Sequence, residues 1–121
     1  MKKYFILLAG SPGTGKTSLA MVISKMLDYY FISLNATNCG VQEIKNEANK
    51  AEENLRLYSR KTILFLDEIH RFNKSQQDIL LEYVEKGSFI LIGATTENPI
   101  YTLNNALISR VMLFKFEKLS D

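Results

Sequence analysis

The chain has 121 residues, 46% of them hydrophobic and 23% charged, which fits one globular domain and excludes disordered, fibrous and membrane-embedded classes. A net charge of +2 is too small to serve as the electrostatic footprint of a nucleic-acid binder, and a single cysteine, Cys39, excludes an internal disulfide framework. No apolar run approaches the roughly 20 residues of a membrane span. A cytoplasmic protein without membrane association is therefore expected.

The first apolar run, Tyr4 to Ala9, follows Met1-Lys2-Lys3 and leads straight into a glycine-rich loop, so it reads as a buried strand rather than a signal peptide. That loop, Gly10-Ser11-Pro12-Gly13-Thr14-Gly15-Lys16-Thr17, fits G-x-x-x-x-G-K-[ST]. It stands where such a motif must stand, after a strand and at the opening of a helix. The glycines let successive N–H groups turn toward phosphate oxygens, and the helix from Lys16 through Ser18 onward adds its positive end. Lys16 is expected to reach the β- and γ-phosphates, and the Thr17 hydroxyl to bind Mg²⁺. Leu19, Val22, Ile23, Met26 and Leu27 form the apolar stripe expected of that helix.

Tyr29 to Leu34 is a second strand, with Tyr29, Tyr30 and Phe31 as core aromatics rather than base-stacking ones. Val41, Ile44, Ala48, Ala51, Leu55 and Tyr58 keep helical spacing and predict a second crossover helix. The third strand, Thr62 to Leu66, ends in Asp67-Glu68, where open α/β sheets place their ligands. Asp67 is suited to hold Mg²⁺ through water, and Glu68 to polarise the water that attacks a γ-phosphate. His70 and Arg71 follow, and a lone histidine there is assigned no chemistry. A second His or Cys at metal-ligand spacing is absent, so zinc is not supported.

Asn73 is a good N-cap, with Gln76 three residues on completing a capping box. Ile79, Leu80, Tyr83 and Val84 should face inward before Gly87 stops this third helix. A fourth strand, Ser88 to Ile92, runs into Gly93-Ala94-Thr95-Thr96 and should bring hydroxyls to the same sheet edge; alternation says only that Thr95 and Thr96 point opposite ways. A short helix over Leu103 to Ser109 and a last strand, Val111 to Phe116, complete an α/β domain over residues 1–121. Its expected core is a five-stranded, mostly parallel sheet flanked by helices on both faces.

The stretch Asp67-Glu68-Ile69-His70-Arg71-Phe72-Asn73-Lys74-Ser75-Gln76-Gln77-Asp78, with Gly93-Ala94-Thr95-Thr96-Glu97-Asn98-Pro99, resembles one AAA+ family, the replication-associated recombination proteins A. Gly40-Val41-Gln42-Glu43-Ile44 and Asn105-Ala106-Leu107-Ile108-Ser109-Arg110 extend the likeness over nearly the whole chain. The resemblance implies a P-loop ATPase fold, with Asp67-Glu68 as its Walker B pair. It also implies ATP and Mg²⁺ as ligands, DNA at stalled replication forks as the object of the work, and a homo-oligomer. It makes Thr96 the favoured "sensor 1" hydroxyl and Arg110 the arginine finger that reaches a neighbour's ATP; a plain Thr-rich strand end and a helix-capping arginine are the structural alternatives. Members of the family carry an adenine-holding segment before the first strand and a helical lid after the last, so this chain is expected to be an ATPase core excised from a longer protein. Two rival functions stand beside hydrolysis: a non-catalytic nucleotide-binding module, and a small P-loop kinase, for which no acceptor pocket or basic lid is visible.

Overall fold

The computed structural model describes residues 5–10 and 15–96, and of residues 111–115 the backbone. Five strands, β1 (Phe5–Ala9), β2 (Tyr30–Asn35), β3 (Thr62–Asp67), β4 (Ile90–Thr95) and β5 (Val111–Lys115), form one sheet in the order β2-β3-β4-β1-β5. Every neighbouring pair runs parallel. Three helices, α1 (Lys16–Met26), α2 (Val41–Tyr58) and α3 (Lys74–Lys86), and one 3₁₀ turn (Ile69–Arg71) lie between the strands. The expected helix over Leu103 to Ser109 falls outside the described residues.

Because strand side chains alternate, the sheet sorts its apolar residues into two cores. Phe5, Leu7, Leu64, Leu66 and Leu91 face Ile44, Ala48 and Ala51 of α2, Leu80 and Val84 of α3, and Ile69 of the 3₁₀ turn. Leu8, Ile63, Phe65, Ile92 and Ala94 pack with Ala20 of α1, flanked by Leu19 and Ile23. Helices thus cover both faces, which is why the central strands read as near-continuous apolar runs. β2 stands at the edge and is only partly buried.

Of the apolar stripe expected on α1, Leu19 and Ile23 pack against the core, but the most buried face lies beside it. Lys16, Ala20 and Ser24 are buried there, whereas Val22, Met26 and Leu27 are 51%, 79% and 51% exposed. Residues four apart share one face, and small side chains at 20 and 24 let the helix lie close on the sheet. That choice turns Val22 and Met26 outward. In α2 the expected stripe holds through Ala51, and Leu55 and Tyr58 emerge beyond the sheet, 40% and 65% exposed.

α3 begins as expected. The Asn73 side chain accepts from Gln76 N–H at 2.9 Å and the Gln76 side chain accepts from Asn73 N–H at 2.8 Å. Gly87 ends the helix in the left-handed region at φ 83. Its buried residues are Gln77, Leu80 and Val84, with Ile79 and Tyr83 half-buried at the margin. β2 and β4 run further toward their C-terminal ends than apolarity alone suggests, because pairing continues through polar residues: Asn35 opposes Asp67, and Thr95 opposes Ala9.

Candidate active site

The strand order puts β4 between β1 and β3, so the carboxyl ends of these three strands share one edge of the sheet. There β1 delivers the glycine-rich loop, β3 the acidic pair and β4 the threonines, in the crevice where doubly wound sheets bind ligands. The loop and β4 are tied directly, since Gly10 N–H donates to the Thr95 carbonyl at 3.0 Å.

Of the loop, Gly10, Gly15, Lys16, Thr17 and Ser18 are described; Ser11, Pro12, Gly13 and Thr14 lie outside the described residues, as does Arg110. Gly15 has φ 89, a left-handed conformation that a residue with a Cβ adopts only under strain, and it turns the chain directly into α1. Lys16 follows as the first residue of the helix. It is only 8% exposed, and its Nζ donates to the Gly10 carbonyl at 2.7 Å, so its ammonium folds back across the mouth of the loop. Thr17 and Ser18 are exposed in the first turn of α1, where backbone N–H groups lack intrahelical partners and the helix dipole favours an anion.

Asp67 closes β3, and strand parity groups it with Ile63 and Phe65 on the α1 face. One of its oxygens, Oδ1, accepts from Glu68 N–H at 2.9 Å. Among the described residues of the site, Glu68 is the one non-glycine residue with a left-handed backbone. It sits at φ 55, ψ 41, a left-handed conformation that costs a non-glycine residue about 1–3 kcal/mol. The turn that follows offsets part of this, with Arg71 N–H donating to the Glu68 carbonyl at 2.9 Å.

That turn carries His70. Ile69, fully buried, fills the space above β4 that Gly93 leaves open; a Cβ on Gly93 would stand 2.8 Å from Ile69 Cδ1. This close approach lowers the turn onto the end of β4. His70, its side chain 6% exposed, places Nε2 3.0 Å from Glu68 Oε2 and Nδ1 2.8 Å from Thr95 Oγ1. His70, which its sequence position left without an assigned chemistry, thus touches the carboxylate of Glu68. The sequence signal that could have found it is its place two residues past Glu68; the partner Thr95 lies 25 residues away.

The two threonines separate as alternation requires. Thr95 is 1% exposed and belongs to the hydrogen-bonded set, while Thr96, the residue favoured for the sensor role, is exposed just past the strand end. A cavity of about 310 Å³ lined by Glu52, Leu55, Arg56, Lys86, Gly87 and Ser88 includes none of the candidate residues. Beside it Ser88 Oγ donates to Glu52, and this hydroxyl, then Lys86, holds the Glu52 carboxyl below the usual carboxylate range. Cys39 packs against the core between β2 and α2, and burial pushes its thiol pKa up, with Glu43 adding to the effect.

The family model described as "ATPase family associated with various cellular activities (AAA)" matches residues 6–118. The chain belongs to this family. As an AAA domain it is 52% identical over 114 residues to "ATPase WRNIP1" of Dictyostelium discoideum, an alignment covering 94% of this chain and 13% of that protein. To "Replication-associated recombination protein A" of Haemophilus influenzae it is 48% identical over 117 residues, covering 97% of this chain and 26% of that protein. Among solved structures it superposes on a RuvB mutant, P216G, of Thermotoga maritima with a TM-score of 0.72 at 30% identity, covering 93% of this chain and 38% of that one. The AAA domain thus spans about a quarter, or less, of the length of these curated relatives. Among the described residues no helix is long and apolar enough to cross a membrane.

Proposed function

We propose that this chain is the ATP-hydrolysing core domain, residues 1–121, of a longer cytoplasmic protein that remodels DNA at stalled replication forks in replication, recombination and repair. The observation that carries the chemistry is the strand order. β4 alone separates the loop that starts at Gly10 from the carboxylates of Asp67 and Glu68, and Thr95 hydrogen-bonds toward both sides.

The γ-phosphate of ATP lies against the loop formed by Gly10, Ser11, Pro12, Gly13, Thr14 and Gly15, and the N–H groups of Lys16, Thr17 and Ser18 extend that cradle. Lys16 leaves the Gly10 carbonyl and donates to the β- and γ-phosphates. The donor set suits Mg²⁺, a hard cation that takes one or two protein oxygens and fills its shell with water and phosphate. The Thr17 hydroxyl and the Asp67 carboxylate would hold it. When bound, Mg²⁺ would supply positive charge that offsets the charge of the phosphates during transfer. Glu68 orients the attacking water and takes up its proton. Thr96, exposed at the end of β4, is the favoured hydroxyl for fixing that water. Arg110 of a neighbouring copy completes the site by meeting the charge that develops on the γ-phosphate, a role worth about 10³ to 10⁵ in rate in other phosphoryl-transfer systems. The active form is accordingly a homo-oligomer.

The DNA role rests on the relatives. Two of them are named for replication-associated recombination and for the ATPase WRNIP1, and a neighbouring Thermotoga maritima structure is described as the RuvB Holliday junction branch migration motor. Steady-state ATPase activity of the full-length protein, measured across protein concentration with and without forked DNA, tests the proposal. Turnover per subunit should rise with concentration and with fork DNA, and Arg110→Ala should abolish the rise. Tight ATP binding with no turnover at any concentration would refute hydrolysis and favour a nucleotide-binding module.

A further inference from the structure

The His70 side chain is polar, only 6% exposed and in contact with two residues of the site, yet the reaction gives it no task. We propose that His70 is a positioning residue: its imidazole, braced by Thr95, holds the Glu68 carboxylate in the orientation from which it activates the attacking water. The inference rests on the reading of Glu68 as the hydrolytic base.

The geometry leaves little choice of hydrogen position. An ionised carboxylate only accepts, so the hydrogen between His70 and Glu68 sits on Nε2; in the neutral ring Nδ1 is then an acceptor and the Thr95 hydroxyl donates to it. Thr95 is itself fixed, because its carbonyl accepts from Gly10 N–H and it opposes Ala9 in the sheet. The tie therefore runs from the start of the phosphate loop through Thr95 and His70 to Glu68, and ends at the carboxylate oxygen. Glu68 needs such a brace. It lies beyond the last ladder pair of β3, in a left-handed conformation, with its side chain 28% exposed. A carboxylate in that position samples several rotamers unless something holds it. His70 is nearly enclosed and hydrogen-bonded to Thr95 of β4, so it is held where Glu68 is not.

A residue that acts only by packing and one that aims a base differ in what they move. In the full-length protein, His70→Ala should lower kcat for ATP by about 10- to 100-fold, the cost of losing a group that orients a catalytic one. The ATP Kd should stay within about threefold, since no phosphate contact is removed. His70→Gln, which keeps an N–H donor near the carboxylate and preserves bulk, should restore most of kcat; it also keeps the test valid if the alanine variant unfolds. Thr95→Val should give a smaller fall, and adding it to His70→Ala should cost nothing further, because the two act through one tie. Glu68→Gln measured in parallel separates the two readings. If Glu68→Gln is inactive and His70→Ala turns over normally, the positioning role is wrong and the base stands. If Glu68→Gln turns over normally, both fall. Additive losses from His70→Ala and Thr95→Val, or a fall in kcat matched by the unfolded fraction in a thermal melt, would also overturn the positioning role.

Discussion

Removing the Lys16 ammonium should weaken ATP binding by an amount that the resting structure bounds. At about 4 Å from a phosphate charge, with the effective dielectric near 20 that suits a partly buried site, the attraction is about 4 kcal/mol. Lys16 is not idle before ATP arrives. Its Nζ already donates to the Gly10 carbonyl at 2.7 Å, and giving up that bond costs about 1–2 kcal/mol. The difference, about 2–3 kcal/mol, corresponds to an affinity about 30- to 150-fold lower in Lys16→Ala. The same substitution removes the tie to Gly10, so the apo protein should lose about 1 kcal/mol of stability while keeping its fold. Fluorescence anisotropy with a labelled ATP analogue reads the affinity, and circular dichroism of the same samples reads the fold. An affinity within about twofold of the parent protein, in a folded variant, would refute the assignment of the loop.

Two further predictions concern stability. Asn73→Ala removes the side-chain oxygen that accepts from Gln76 N–H at the start of α3, while the Gln76 side chain keeps its bond from the N–H of residue 73; it should cost about 1 kcal/mol, read as a fall of a few degrees in Tm, whereas Asn73→Asp should be close to neutral. Glu52→Gln removes a carboxylate that Ser88 and Lys86 hold below its usual range. A depressed carboxyl stabilises the fold above its unfolded-state pKa and stops doing so as pH falls through the folded-state value. Urea unfolding should therefore show the variant less stable at pH 7 and the gap closing below about pH 4; a gap independent of pH would count against the ion pair.

The sheet was largely legible because its signals are local. Apolar runs separated by helical periods specified five strands, and Asn73 with Gln76 marked the start of α3 to the residue. Asp67-Glu68 stood out because the pair closes an apolar strand downstream of the glycine-rich loop, at the edge where open α/β sheets place their ligands. What was not legible depended on neighbours distant in sequence. α1 turns Ala20 and Ser24 to the sheet in place of Val22 and Met26, since close approach to β2 and β3 outweighs the burial of two larger side chains, and periodicity alone does not weigh that contest. Likewise alternation set Thr95 and Thr96 on opposite sides without saying which side holds the 3₁₀ turn. Register supplied the answer: Thr95 shares parity with Leu91 and Gly93, on the face where Ile69 packs. His70 escaped notice for the same reason, as its partner Thr95 lies 25 residues away in sequence.

The most direct test of the account is one protein carrying Glu68→Gln, assayed twice. Glutamine keeps an oxygen that can accept from His70 Nε2–H and keeps the backbone turn, so ATP should bind with about the parent affinity. It takes up no proton from water, and hydrolysis should fall by about 10² to 10⁴, the usual contribution of a positioned base. Full binding with turnover lost is the predicted result. Full binding with turnover unchanged would contradict the assignment of Glu68, and with it the reading of this sheet edge as a site of ATP hydrolysis.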